Sequence, residues 1–506
     1  MNNFFVTTPI YYVNDRPHMG HAYASIHADV VARIKAMAGF KTYFLTGADE
    51  HGEKIAKAAA LANEPVQLFV DKNAEHFQMA WQAMYVEPSY FVRTTDPRHM
   101  SFVSNILQKL YEQGDIYSAE YEGLYSIGQE RFVTPKELVD GKLPEDKDPP
   151  ILRKEFNYFF RMENHRQWMA EFIANNPGLI SPPKFANEIL QLLAEPIGDL
   201  SISRPASRLS WGIPFPWDSE HVVYVWFDAL LSYLSPLATE GDEVLQKFWE
   251  ESHHIIGKDI LRTHTLFWLS MCHAMGIQPY KKLYVSGHLM GFDGRKMSKS
   301  LNNGVDPLDA VEKFGADVLR YALIKEIRFG QDGIMSEQSI AQRLNNDLAS
   351  DIGNLASRTV AMINKYRGGT VTVITPTTLR GQTLYENSSG LYALVLASVD
   401  DMLLSQGFEP VLDYARDLNR YVNETAPWEL AKSSDQEALL DEALFILHHG
   451  LRTLAILLSP VMPRKMHELR LALGTAEEPM VWSAQPQQAL TYRVIDRMAP
   501  LFSRVS

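Results

Sequence analysis

NFFVTTPIYYVNDRPHMGHAYASIHADVVARIKAMAGFKTYFLTGADEHG, residues 3–52, reads as a strand, a helix and a second strand. Asn3–Thr8 is a β-prone run that Pro9 and the cluster Asn14-Asp15-Arg16-Pro17 break into a loop. From Gly20 onward Ala22, Ile26, Val30, Ile34 and Met37 recur every three or four residues, the spacing of an amphipathic helix, and Gly39 stands at its C-cap. Lys41–Thr46 predicts a second strand running into Gly47-Ala48-Asp49-Glu50-His51-Gly52. Two strands joined by a helix of this length pair in parallel through a right-handed crossover, which makes the fold α/β.

Working outward, the same succession returns two hundred residues later. His253–Ile256 is a strand, Gly257-Lys258-Asp259 a turn, Leu261–Ala274 a helix and Leu283–Ser286 a strand. Between the two units, residues 117–212 carry loop signals (Val139-Asp140-Gly141-Lys142-Leu143-Pro144, Asp148-Pro149-Pro150) and strand-like pieces such as Phe156–Phe160, so they read as an insertion. From Ser336 the pattern turns helical, with 336–364, 388–406, 410–432 and 437–458 as successive helices. Pro460 and Pro463 then precede a last one starting near Lys465.

The 506 residues suffice for roughly three domains at about 150 residues each. A 46% apolar, 22% charged composition excludes disorder and collagen-like repeats. Lys and Arg number 48 against 61 Asp and Glu, a net charge of −13 that excludes coating nucleic acid by overall charge but leaves local basic patches open. The one cysteine, Cys272, excludes a disulfide framework and any zinc site built on two thiolates. The first residues lack the basic and small-residue signature of a signal peptide, and no apolar run approaches the ~18 residues that span a bilayer. No membrane association and a cytoplasmic location are therefore expected.

Two stretches carry chemistry. Pro17-His18-Met19-Gly20-His21 lies between the first strand and the first helix, where unpaired N–H groups and the positive end of the helix dipole suit phosphate. Alone it reads better as a helix start with two surface histidines, since four residues recur by chance. Gly294-Arg295-Lys296-Met297-Ser298-Lys299-Ser300 follows a late strand and offers two lysines three apart, able to close on a polyphosphate. Alone it is a solvated basic loop. Neither a Walker-type loop nor a G-x-G-x-x-G is present.

Together, PHMGH and KMSKS resemble the paired signatures of class I aminoacyl-tRNA synthetases. Within that class the chain resembles the methionyl-tRNA synthetase family along nearly its whole length, through residues 9–14 (PIYYVN), 47–52 (GADEHG), 157–160 (NYFF), 200–214 (LSISRPASRLSWGIP), 224–229 (YVWFDA), 257–268 and 423–428 (NETAPW). The resemblance implies a Rossmann-like catalytic domain with a parallel sheet in two halves, 1–116 and 213–286, interrupted by a connective-peptide insertion at 117–212. A KMSKS and stem-contact region at 287–345, an α-helical anticodon-binding bundle at 346–464 and a C-terminal helix and tail at 465–506 would follow.

It further implies a methionine–tRNA ligase that makes methionyl-adenylate from L-methionine and ATP with Mg2+, then charges tRNA(Met). His18, His21, Lys296 and Lys299 would be catalytic. Ile10, Tyr12, Asp49, Trp226, Ala229, Tyr233, His264 and Trp268 would bind methionine, the carboxylate of Asp49 taking the ammonium. His18, Gly20, His21, Gly257, Asp259 and Lys299 would bind ATP, and Asn354, Arg358, Pro427 and Trp428 the anticodon. Many members carry a zinc knuckle with a C-x-x-C after a Tyr-Glu-Gly-x-Tyr segment. Here Tyr121-Glu122-Gly123-Leu124-Tyr125 is followed by Ser126-Ile127-Gly128-Gln129, so no structural zinc is expected. The tail resembles the end of the family's core with no appended dimerisation domain, which implies a monomer. RNA contact is expected through basic loops such as Lys281-Lys282 and KMSKS. Branched-chain class I enzymes need a larger editing insertion than 117–212 provides, and the cysteine enzyme needs zinc thiolates. A small-molecule nucleotidyltransferase needs no long helical tail, and a silent tRNA-binding paralogue needs neither motif.

Overall fold

The computed structural model describes residues 2–505 apart from 129, 130, 134, 145, 147, 292, 298–302 and 481–489. Its centre is a six-stranded sheet in the order Tyr90–Arg93, Lys41–Asp49, Asn3–Tyr12, Ser252–Gly257, Lys282–Ser286, Ile180–Ser181, with every neighbour parallel. Pro9 does not end the first strand, as its sequence suggests it should. The pairing with Lys41–Asp49 shifts register between Thr7 and Ile10, a place where the missing N–H of proline costs no ladder bond, and the strand runs on to Tyr12. Strand order reverses beside Asn3–Tyr12, so a crevice opens at the carboxyl ends of that strand and of Ser252–Gly257.

Both faces of a parallel sheet need cover. On one side the first helix, Met19–Met37, and the helix Ala316–Glu326 share a core with the C-terminal helices, through side chains such as Val30, Leu319 and Leu451. On the other, Pro97–Glu112, Val225–Leu231 and Trp268–Met275 pack through Val103, Phe227 and Leu269. Within 117–212, Ile180–Ser181 joins the main sheet. Ile116–Ser126 and Ile151–Phe160 pair antiparallel, flanked by Arg131–Val133 and Leu200–Ser201 in a sheet of their own. After Tyr121–Tyr125, Ser126 donates its hydroxyl to the Asp146 carboxylate, and Tyr125, Val133 and Leu143 are buried.

The C-terminal half stacks Asn354–Arg367, Leu379–Val399, Glu409–Thr425 and Pro463–Leu473 around the buried helix Glu437–Leu458. The second of these begins nine residues before the expected start at 388, because Asn387-Ser388-Ser389-Gly390 reads as a loop. Ser388 instead returns its hydroxyl to the Tyr385 carbonyl and meets His449 Nε2 at 3.0 Å, so tertiary partners override the local preference. The chain then returns: Thr491–Arg493 pairs with Thr370–Thr372, and Leu501 and Phe502 are buried. No helix among the described residues is long and apolar enough to cross a membrane.

Burial holds several histidines neutral. His27, His253, His264 and His448 fall to about 4 and His449 to about 3. Desolvation is the first cause in each. The unfolded chain, with histidines near 6.5, binds more protons than the fold between about pH 6.5 and 4, so stability is full above that window and lost as pH falls through it. Calorimetric melts should give a steady melting temperature from pH 8 to 7 and a continuous fall below about 6.5. A flat profile down to about pH 4.5 would contradict neutral burial.

Candidate active site

The crevice is a cavity of ≈ 810 Å³. The carboxyl end of Asn3–Tyr12 supplies Ile10 and Tyr12, that of Lys41–Asp49 supplies Asp49, that of Ser252–Gly257 supplies Gly257, and the turn beyond it Asp259. The start of the first helix brings His18, Gly20 and His21, and the segment after Lys282–Ser286 brings Lys296. Trp226 enters from the helix Val225–Leu231. Residues that sequence reading assigned to a phosphate site and to an amino-acid site thus line one cavity.

The two histidines cap the helix for each other. His18 Nδ1 accepts the Gly20 N–H at 3.1 Å, His21 Nδ1 accepts the His18 N–H at 3.3 Å, and their rings stack with centroids 3.5 Å apart. A nitrogen that accepts a backbone N–H carries no proton, so each neutral ring holds its hydrogen on Nε2. Both are therefore prepared as donors. A Cβ at Gly20 would lie 3.0 Å from the His18 ring, so a larger residue there would push on that ring.

Ala229, Tyr233, His264 and Trp268 do not line the cavity. They form the buried wall behind Trp226, at 4%, 2%, 1% and 0% exposure. Trp226 meets His264 edge-on at 6.2 Å, and Tyr233 lies 5.9 Å from Trp268. His264 Nδ1 contacts the Ile260 carbonyl at 3.0 Å, which can only accept, so Nδ1 carries the proton and Nε2 accepts the Tyr233 hydroxyl at 2.7 Å. The structure places these four residues in the core behind Trp226 and does not bring them to the cavity surface.

Lys296 Nζ stands 3.8 Å from Asp259 Oδ2. Next to it Lys258 grips both oxygens of Asp332 at 2.7 and 2.8 Å, and Asp332 also accepts the His288 N–H at 2.7 Å. Burial first, then Lys296 and Lys258, push His288 below its ordinary range. Lys299, the second lysine of the motif, lies outside the described residues. His288 and Asp332 escaped sequence reading, having no motif to mark them. Among the described residues no group of three or more His, Cys, Asp or Glu side chains could hold a metal.

The remaining predicted residues sit apart from the cavity, on the C-terminal helices. Asn354 is exposed and Arg358 half-buried on one helix face, with the Arg358 guanidinium 5.9 Å from the Trp428 ring and its Nη2 3.4 Å from Asn423 Oδ1. Ala426, at φ 41°, breaks the preceding helix so that Pro427 is buried and Trp428 is left 39% exposed. Trp428 is thus partly exposed at the surface rather than fully buried.

Comparison with known proteins gives a single answer. The family model of class I tRNA synthetases (M) matches residues 4–148 and 130–360. The methionine–tRNA ligase of Deinococcus radiodurans is 46% identical over 483 residues, covering 94% of this chain and 70% of that protein. That of Bacillus subtilis is 38% identical over 521 residues, covering 100% and 78%. The structure of Mycobacterium tuberculosis methionyl-tRNA synthetase in complex with methionyl-adenylate superposes with a TM-score of 0.95 at 34% identity, over 100% of both chains. The free-state structure of that enzyme gives 0.87 at 31% identity, over 100% of this chain and 99% of that one.

The capping geometry generates a test. In His21→Asn the amide oxygen sits near the Nδ1 position and still accepts the His18 N–H, while the Nε2 donor is lost. The variant should melt close to the unaltered protein and bind pyrophosphate about tenfold more weakly by calorimetry. Unchanged affinity would remove His21 from the phosphate site.

Proposed function

The chain belongs to the methionyl-tRNA synthetase family of class I tRNA synthetases, and from that membership and the cavity's chemistry we propose how its residues divide the reaction. The enzyme joins L-methionine to ATP as methionyl-adenylate, releasing pyrophosphate, and transfers the methionyl group to the 3′ end of tRNA. The observation that carries the residue assignment is the shared cavity, in which a pair of oriented imidazole donors faces the same space as a buried carboxylate and an aromatic wall.

Asp49 holds the methionine ammonium in a charge-assisted bond. Ile10, Tyr12 and Trp226 contact the side chain, with Ala229, Tyr233, His264 and Trp268 behind them. Sulfur against ring edges contributes about 0.3–1.5 kcal/mol per contact. Since the Tyr233 O–H is committed to His264 and the His264 N–H to the Ile260 carbonyl, these two groups have no spare donor for a polar side chain, which disfavours polar amino acids.

The methionine carboxylate oxygen attacks the α-phosphorus, the bond to the bridging oxygen breaks, and pyrophosphate leaves carrying the electron pair. His18 and His21 donate through Nε2 to phosphoryl oxygens. Gly20 admits the chain close to the helix N-terminus, and Gly257 and Asp259 bind the nucleoside end. Lys296 leaves Asp259 for the departing pyrophosphate, joined by Lys299, and Mg2+ accompanies ATP as part of the substrate. No nucleophilic side chain is needed, so positioning and charge stabilisation supply the rate. A hydroxyl of the 3′-terminal adenosine then attacks the carbonyl carbon and AMP departs.

Asn354, Arg358, Pro427 and Trp428 read the anticodon of tRNA(Met). Unstacked bases are recognised on aromatic and guanidinium planes, which the Arg358–Trp428 pair provides. On this reading 346–464 is the anticodon-binding bundle, 117–212 the insertion of the catalytic domain and 287–345 the loop region joining them.

ATP–pyrophosphate exchange with each of the twenty amino acids should respond to methionine, and exchange with none or with another amino acid would overturn the assignment. Trp428→Ala should raise the tRNA KM of charging by about tenfold or more while exchange stays intact, since one base stack is worth about 1–3 kcal/mol. A fall in both, together with lost thermal stability, would return Trp428 to a structural role.

A further inference from the structure

We propose that Asp228 is a positioning residue for methionine, locking the ammonium-binding loop to the helix that carries the side-chain pocket. The inference deepens the reading above and rests on it.

Asp228 lies on the helix Val225–Leu231, which also bears Trp226 and Ala229, and is 1% exposed. Its two oxygens face two different elements. Oδ2 meets His51 Nδ1 at 2.7 Å, two residues beyond Asp49, and Oδ1 meets His99 Nε2 at 2.7 Å on the helix Pro97–Glu112. His99 Nδ1 is in turn 2.7 Å from Ser235 Oγ. A carboxylate only accepts, so His51 donates from Nδ1 and His99 from Nε2. Neutral His99 then has a lone pair on Nδ1 for the Ser235 hydroxyl. Desolvation opposes the buried charge, yet the two histidines hold Asp228 below the ordinary carboxylate range overall.

Asp228 thus grips the loop at His51 from the helix that carries Trp226. Its neighbours fasten it elsewhere. Glu50 takes Arg93 Nε at 2.6 Å and the Thr95 hydroxyl, the Glu50 N–H donates to Thr94 Oγ1 at 3.0 Å, and Trp211 Nε1 donates to the Glu50 carbonyl at 2.6 Å. Those contacts tie the loop to the strand end at Arg93 and to the segment at Trp211. The His51–Asp228 bond joins it to the helix of Trp226. Methionine spans both sides, its ammonium on Asp49 and its thioether at Trp226, so the distance between them is a specificity parameter. Apolar packing would let the helix slide, whereas two directional bonds from one carboxylate fix the angle as well as the separation.

The chain makes a specific demand of each variant. In Asp228→Asn one amide oxygen still accepts, but the NH2 group faces an imidazole N–H and one arm breaks. His99→Gln keeps an N–H near the Nε2 position, and His99→Leu removes it. Exchange kinetics should show the methionine KM of Asp228→Asn and His99→Leu raised about tenfold or more, with the ATP KM within about twofold of the unaltered enzyme and His99→Gln close to it. Equal rises for both substrates, an unchanged methionine KM, or Gln and Leu behaving alike at position 99 would each overturn the proposal. Should Asp228→Asn fail to fold, the His99 pair decides alone. Exchange by the unaltered protein is the control: its absence would sink the parent reading rather than this one.

Discussion

One buried guanidinium fixes how the two halves of this protein meet across their shared apolar core. Arg320 is fully buried, and each of its nitrogens has at least one partner: Val461 O for Nε, Met84 O and Tyr85 O for Nη1, Asp29 Oδ2 and Pro460 O for Nη2. Asp29 belongs to the first helix, Met84 and Tyr85 to the turn after the helix Val66–Ala83, and Pro460 and Val461 to the turn that follows the central helix of the bundle. A buried charge deprived of its partner costs several kcal/mol, so the four segments meet in one arrangement or not at all. Lys35 to Asp400, and Tyr284 to the carbonyls of Val399 and Asp400, add ties in the same sense. The helix whose N-terminus carries His18 and His21 is thereby anchored to the bundle that carries Trp428.

That rigidity suits a reaction without a covalent enzyme intermediate. Where catalysis consists of holding donors where charge will develop, each donor has to be oriented before the substrate arrives. The cavity meets this with reciprocal bonds that fix the histidines' protons. His18 and His21 cap each other's helix, and His264 is committed between Ile260 and Tyr233. Lys296 rests against Asp259, a weak surface pairing that a polyphosphate can replace.

The sequence discloses what short-range periodicity encodes. Ala22, Ile26, Val30 and Ile34 announced the first helix, and the central strands and the two motifs were legible with it. Strands of two to four residues, Ile180–Ser181 and Tyr90–Arg93, were not, because so few positions establish no alternation. The break expected at Pro9 failed for a tertiary reason, a register shift that cannot be seen from one strand alone. Within the site, Asp49 and the histidines were marked by motif. The link from Asp228 to His51 and His99 joins residues 177 and 129 positions apart and leaves no local trace.

Charge is where sequence and structure pull hardest on each other. A net −13 protein that handles RNA was expected to meet it through exposed lysines such as Lys281 and Lys282. Both are engaged: Lys281 with Glu251, and Lys282 with Asp401 and the Asp400 carbonyl, so Lys282 serves the junction between the halves. On the bundle surface Arg416 is likewise paired with Asp351, Glu409 and Asp413, and Arg420 with Asp417. Cations already neutralised by carboxylates exchange one partner for another when phosphate arrives, and the released carboxylates regain their own counterions. Net counterion release, and with it the salt slope of binding, is then smaller than the number of basic residues at the contact. An acidic surface of this kind gives little affinity for an arbitrary polyanion. On the function proposed above, selectivity passes to the few places, such as Trp428 with Arg358, that offer a plane to a base rather than a charge to a phosphate.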